Sequence, residues 1–192
     1  MKNIELPNWF VNDGQYNFEY YLKPLSRLRS QYLQVGAYTG DASVWLENNV
    51  LKSSSSVLFD VDTWGGSEEP VHYQMDWHSI EEVYDDRTRE GREAGRIVKY
   101  KGTSDEFFKQ NTETFDFIYV DGDHTAYGVM KDAVSAFEVL NTGGILAFDD
   151  YQWSAGLGAL KEPKPAVDAF WAVYQDKLET LFVGYQCWFR KL

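Results

Sequence analysis

The chain has 192 residues and a formal net charge of −12, which fits one domain with a full core and argues against nucleic acid or an anionic membrane as partner, since phosphate binding needs a basic face. Its single cysteine, Cys187, excludes an internal disulfide and a cysteine-cluster zinc site. The start MKNIELPNWF has no apolar signal core and no run approaches transmembrane length, so a cytoplasmic setting is expected.

Residues 1–30 are rich in aromatics and are expected to form short helices over the rim of a sheet, a cap segment ahead of the domain at 31–192. Tyr32–Val35 reads as a first buried strand. Asp41–Leu51 has helical spacing through Val44, Trp45 and Leu51. Val57–Val61 is a second strand, and Thr63–Trp77, with glycine, proline and acids, is a long loop or lid. A polar helix over Ser79–Ala94, a third strand at Arg96–Tyr100 and a short helix at Asp105–Asn111 follow. Phe115–Val120 is the fourth strand.

Ala126, Val129, Met130, Ala133, Val134, Phe137 and Leu140 mark one face of the next helix, which Asn141–Gly144 closes. Ile145–Phe148 is the fifth strand, Gln152–Pro165 an irregular loop and Ala166–Gln175 a helix opened by Pro165. Thr180–Lys191 reads as a hairpin turning near Gly184. Strands alternating with helices, then an antiparallel ending, give a doubly wound α/β sheet with an appended hairpin. The abundant aromatics suit ring-lined pockets, packing or subunit contacts such as a homodimer equally well.

Several strand ends carry chemistry. In Tyr32-Leu-Gln-Val-Gly-Ala-Tyr-Thr-Gly40, a strand feeds a glycine turn that opens a helix, where Gly36 would let a ligand approach the backbone and Gly40 would relieve crowding. A plain tight turn explains the same residues. At the end of the second strand, Asp62 is placed to bind ribose hydroxyls, and Asp60 points to the same face two residues back; a solvated loop acid is the bland alternative. Thr103 and Ser104 after the third strand would meet an adenine edge, or Ser104 or Asp105 would cap the next helix.

The fourth and fifth strands end in Asp121 with Asp123, and in Asp149 with Asp150. Adjacent strands lie about 5 Å apart, so Asp121, Asp149 and Asp150 would converge with His124 one step outside. Oxygen ligands of this kind suit Mg²⁺, Mn²⁺ or Ca²⁺, with an imidazole of ordinary pKa beside them as base. His72 and His78 read as surface residues. His124 as a mere helix cap is the competing reading.

Together these residues resemble the class I S-adenosylmethionine-dependent methyltransferases, and within them the small O-methyltransferase-like family related to macrolide-sugar and catechol O-methyltransferases. The D-G-x-H after the fourth strand and the G-G-x-x-x-x-D-D-Y at the fifth carry the likeness over about Tyr32–Tyr151, and the ending GYQCWFRK also resembles that group. The resemblance implies a Rossmann-like doubly wound sheet, order 3-2-1-4-5-7-6 with strand 7 antiparallel and helices on both faces. It implies S-adenosylmethionine against Gln34, Gly36, Tyr38, Gly40, Ser43, Asp60, Asp62, Thr63, Trp64, Thr103, Ser104 and Asp121. Gln34 stands where the family carries an acid, so it would accept a hydrogen bond from the methionine amino group without the charge. Metal-dependent relatives imply Mg²⁺ on Asp121, Asp149 and Asp150, with Asp121 and His124 as the catalytic pair. The acceptor would be a small hydroxylated molecule, a sugar or a phenol, bordered by residues 1–30, Thr63–Trp77 and Gln152–Pro165. The alternatives are a catalytically inactive cofactor-binding or scaffold protein, a nucleotide-cofactor oxidoreductase, and a metal-dependent hydrolase.

Overall fold

The computed structural model describes residues 6–25, 30–67, 69–154 and 156–192; the parts of the expected N-terminal cap at 1–5 and 26–29 lie outside them. A π-helical turn, Phe10–Gly14, leads into α1 (Gln15–Tyr21), followed by β1 (Gln31–Val35) and α2 (Asp41–Asn49). Next come β2 (Val57–Asp62), α3 (Trp77–Arg87), α4 (Arg89–Glu93), β3 (Ile97–Lys101) and α5 (Ser104–Gln110). The chain ends with β4 (Phe115–Val120), α6 (Ala126–Val139), β5 (Leu140–Phe148), α7 (Lys164–Tyr174), β6 (Leu178–Val183) and β7 (Cys187–Lys191).

The sheet order is β3-β2-β1-β4-β5-β7-β6, with β7 antiparallel to both of its neighbours. This is the order and polarity the resemblance implies. The order reverses between β1 and β4, and both strands end at the same edge. Ligands of doubly wound sheets bind at such a switch point.

Each face of the sheet is apolar because strands buried on both sides need apolar residues at every position. Leu33, Ile118, Leu146 and Phe148 meet Phe107 of α5, Ala133 and Phe137 of α6 and Phe170 of α7. Tyr32, Phe117, Tyr119 and Trp188 meet Leu46 of α2 together with Phe10, Phe18 and Leu22. Phe18 is fully buried, edge-on to Tyr119, Trp188 and Phe117 with centroids 5.0, 5.4 and 5.5 Å away. The N-terminal helix therefore lies on the face of the sheet rather than over its rim. Burying one such ring contributes about 1.5–3 kcal/mol, which a rim position would forgo.

Several boundaries differ from the sequence expectation. The helix expected over 79–94 breaks at Thr88, whose buried hydroxyl donates to the Tyr84 carbonyl at 2.8 Å. A β-branched residue that bonds its own helix backbone in this way weakens the next turn. Asn141–Gly144 is not a loop beyond α6 but an irregular start of β5. There the register with β4 shifts between Phe115 and Phe117, and Gly143 takes φ +83. α2 stops at Asn49, two residues short of the expected end.

Candidate active site

β1 ends on Gly36, at φ +89, packed so closely against β4 that an added Cβ would lie 1.8 Å from the Asp121 carbonyl oxygen. The Asp121 N–H donates to the Val35 carbonyl at 2.8 Å and joins the ends of β4 and β1, while the Gly36 N–H donates to the Val61 carbonyl at 2.8 Å and joins β1 to β2. Asp62 braces the turn that follows. Its Oδ2 accepts the N–H groups of Ala37 at 2.8 Å and Tyr38 at 2.9 Å, and its Oδ1 that of Trp64 at 2.7 Å.

A cavity of about 1200 Å³ opens over this edge. Gly36, Tyr38, Asp62, Thr63, Thr103 and Ser104 line it above β1–β3, and Asp121, His124, Asp149 and Asp150 line it above β4 and β5. The N-terminal segment adds Trp9, Phe10 and Asp13, the 63–77 loop adds Glu69, His72 and Trp77, and the loop after β5 adds Trp153 and Lys161.

Five residues expected against the cofactor do not line the cavity. Gln34 turns back, its amide donating to the Gly36 carbonyl at 2.8 Å and accepting from Ser43 at 3.4 Å. Gly40 opens α2, and Trp64 is buried with its indole N–H on the Tyr38 carbonyl at 2.9 Å. Asp60 pairs in register with Gln34, so both point under the covering helices instead of along the edge. Asp60 is fully buried, accepts the Tyr84 hydroxyl at 2.7 Å and has its pKa pushed by burial to about 7, the Ser43 and Tyr84 hydroxyls offsetting part of the rise. At the end of β3, Thr103 caps α5 in a reciprocal box with Glu106. Ser104 donates to Asp132 of α6 at 2.6 Å, and burial pushes that carboxyl up to about 6.

The acids above β4 and β5 converge as expected, but not as equals. Asp149 is held within the protein, accepting the Tyr119 hydroxyl at 2.5 Å and the Gln186 amide at 2.9 Å. Asp150, at φ +54, accepts the Tyr185 hydroxyl at 2.5 Å and presents its other oxygen 3.1 Å from His124 Nε2. His124 is not at the open mouth. Its side chain is 16 % exposed, with Nε2 also 3.6 Å from Asp121 and Nδ1 3.0 Å from Glu69. The ring of Trp153 covers it at 5.2 Å.

Donor atoms of Asp121, His124 and Asp150 lie within 4.8 Å of one another. The tight group thus contains His124 where Asp149 was expected. Burial alone would lower the His124 pKa, but the carboxylates of Asp121, Glu69 and Asp150 beside it outweigh burial and hold the pKa well above 6.5. Burial, then repulsion from Asp149, raises Asp121 well above the carboxylate range, and burial with the charge of Asp150 pushes Asp149 to about 6. His72, expected on the surface, is largely buried, its Nδ1 accepting the Ser67 N–H at 3.1 Å, whereas His78 is exposed as expected.

A glycine turn, a strand-end acid beside it and an acidic corner at the switch point of this sheet order define a class I methyltransferase fold. Residues 33–151 match the family described as a methyltransferase domain, and the chain belongs to that family. Among solved structures it is similar to a candidate rRNA methylase from Clostridium thermocellum, with a TM-score of 0.69 at 15 % identity, covering 94 % of this chain and 98 % of that one. It is similar to an O-methyltransferase from Bacillus cereus in complex with S-adenosylhomocysteine, with a TM-score of 0.60 at 15 % identity over 98 % and 94 % of the two chains. It is also similar to the O-methyltransferase TomG of Streptomyces achromogenes, involved in tomaymycin synthesis and solved with S-adenosylmethionine, with a TM-score of 0.61 at 16 % identity over 89 % and 78 %. At such identities the likeness is one of fold. No curated protein matches the chain. Among the described residues no helix is long and apolar enough to cross a membrane.

Proposed function

We propose that this methyltransferase transfers the methyl group of S-adenosylmethionine to an oxygen of a small hydroxylated acceptor, a sugar or a phenol. The observation that carries the reading is the meeting of Asp121, His124 and Asp150 in one cavity with the Gly36 turn and Asp62. Gly36 leaves room where a Cβ would fill the cradle, and Asp62 stands beside it for the ribose hydroxyls. Tyr38, Thr63, Thr103 and Ser104 extend that surface toward the base. The acids around the other half of the cavity disfavour phosphorylated acceptors and support a neutral or cationic one.

The carboxylates of Asp121 and Asp150, with Asp149 behind them, fit a hard divalent cation such as Mg²⁺, because their crowded negative charge asks for a counter-charge. When bound, the sulfonium cofactor supplies an electrophilic methyl, and a divalent cation lowers the pKa of the acceptor hydroxyl. The chain's own part is largely placement. Trp153 and the 63–77 loop exclude water over the corner, and the strand ends hold two reactants in line. His124 Nε2 is the nitrogen at this corner that would receive either the acceptor's proton or a cation. The carboxylates of Glu69, Asp121 and Asp150 around it favour its charged form, and a cation arriving at Nε2 would take the place of a proton there.

The test is calorimetry with S-adenosylhomocysteine followed by product release from S-adenosylmethionine with catechols, hydroxylated sugars and primary amines. Micromolar affinity, about −8 kcal/mol, and methylation of a hydroxyl are expected. No binding would remove the cofactor, and methylation confined to the amines would remove the oxygen acceptor.

A further inference from the structure

We propose that Asp121, His124 and Asp150 form a site for a first-row transition-metal dication, with His124 Nε2 as a ligand rather than as the base. Asp121 comes from the end of β4, His124 from the turn before α6 and Asp150 from the end of β5, so three separate backbone positions deliver their donors to one point. Two ligands about 2.1 Å from a metal sit about 3.0 Å apart at an octahedral edge and about 3.4 Å apart at a tetrahedral one. Nε2 lies 3.1 Å from the nearer Asp150 oxygen and 3.6 Å from that of Asp121, the spacing of neighbouring ligands.

Both ring nitrogens are buried, and neither has an aligned hydrogen bond. A buried imidazole that serves only as an ion-pair partner would be expected to aim an N–H at one carboxylate. Instead Nε2 faces the gap between two. Behind it, Glu69 stands 3.0 Å from Nδ1, where a carboxylate orients a ligating histidine and fixes its tautomer. Asp149 is outside the group, its oxygens taken by Tyr119 and Gln186.

Two carboxylates and an imidazole are a mixed donor set. Mg²⁺ favours oxygen and keeps its waters, whereas Mn²⁺, Co²⁺ and their neighbours accept imidazole nitrogen readily. The chain is therefore inferred to select such an ion over Mg²⁺. The inference deepens the methyl-transfer reading and rests on it for the purpose of the site, but the measurement needs neither cofactor nor acceptor.

The experiment titrates the purified chain with Mn²⁺ and records electron spin echo modulation, with Mg²⁺ as competitor. Coupling to a ¹⁴N nucleus is expected in the parent, retained against excess Mg²⁺ and lost in His124→Gln. Glu69→Gln, which keeps the imidazole, should keep the coupling and weaken Mn²⁺ by about 10–100-fold. It also carries the test if His124→Gln does not fold. Mn²⁺ bound without ¹⁴N coupling, or bound equally well by His124→Gln, overturns the assignment and returns His124 to the role of base. No Mn²⁺ binding overturns it too and leaves an ion-pair cluster. A parallel titration with S-adenosylhomocysteine separates the two proposals: its failure with ¹⁴N coupling intact defeats the methyl-transfer reading and not the metal site.

Discussion

Replacing Asp62 by alanine probes the glycine turn and the nucleoside end of the cavity together. The carboxylate accepts three main-chain N–H groups, at 2.8, 2.9 and 2.7 Å. Bonds to a charged acceptor contribute about 1.5–3 kcal/mol when sheltered, and a typical bond about 1 kcal/mol. These three are half-buried, so water compensates in part, and about 1 kcal/mol each gives a loss near 3 kcal/mol. For a chain of this length that lowers Tm by roughly 6–12 °C. Asp62→Asn keeps one acceptor oxygen and should lose about half as much. Scanning calorimetry on the three proteins reads this first effect. Titration with S-adenosylhomocysteine reads the second, a loss of at least about tenfold in Asp62→Ala as a ribose bond disappears. A melting temperature for Asp62→Ala within about 1 °C of the parent would refute the bracing role. Unchanged affinity would refute the ribose role.

Gly36→Ala places a methyl 1.8 Å from the Asp121 carbonyl oxygen and 2.5 Å from its carbon, backbone atoms that cannot swing aside, at a φ that L residues avoid. The ends of β1 and β4 are expected to part, with a lower Tm and no detectable binding of S-adenosylhomocysteine; a parental titration curve would contradict the close approach. Asp60 carries a pH signature. Burial raises its pKa from 3.8 to about 7, so the folded chain keeps a proton that the unfolded chain gives up above about pH 4. Its contribution is fully present below that pH, declines as the pH rises toward 7 and is flat beyond. The whole loss is at most about 4 kcal/mol. Asp60→Asn still accepts the Tyr84 hydroxyl and should abolish this component, so urea unfolding of parent and variant should diverge between pH 4 and 7. Parallel curves across that window would show that Asp60 does not titrate there.

What was legible in the sequence follows the physics of strands. Short apolar runs ending in acids identify β2, β4 and β5 because a central strand is buried along its length and polar only where it leaves the sheet. The same logic brings Asp62, Asp121 and Asp150 to one edge. It misreads Asp60 and Gln34, because alternation tells which face a residue is on but not whether a helix covers that face. Tyr84 and Ser43 cover Asp60, and the partner of Gln34 is its own turn. Glu69 and Trp153 lie in loops with no periodicity to betray them, and both reach His124 only once the loops fold over the edge. The ranking of the acids was out of reach for a related reason. Asp149 and Asp150 are adjacent and identical in type, so local spacing cannot choose between them. The choice is made by Gln186, which reaches Asp149 from 37 residues away, and by Tyr185, which reaches Asp150 from 35. Two neighbours on the hairpin turn thus draw two neighbouring aspartates in different directions, Asp149 back into the protein and Asp150 toward His124.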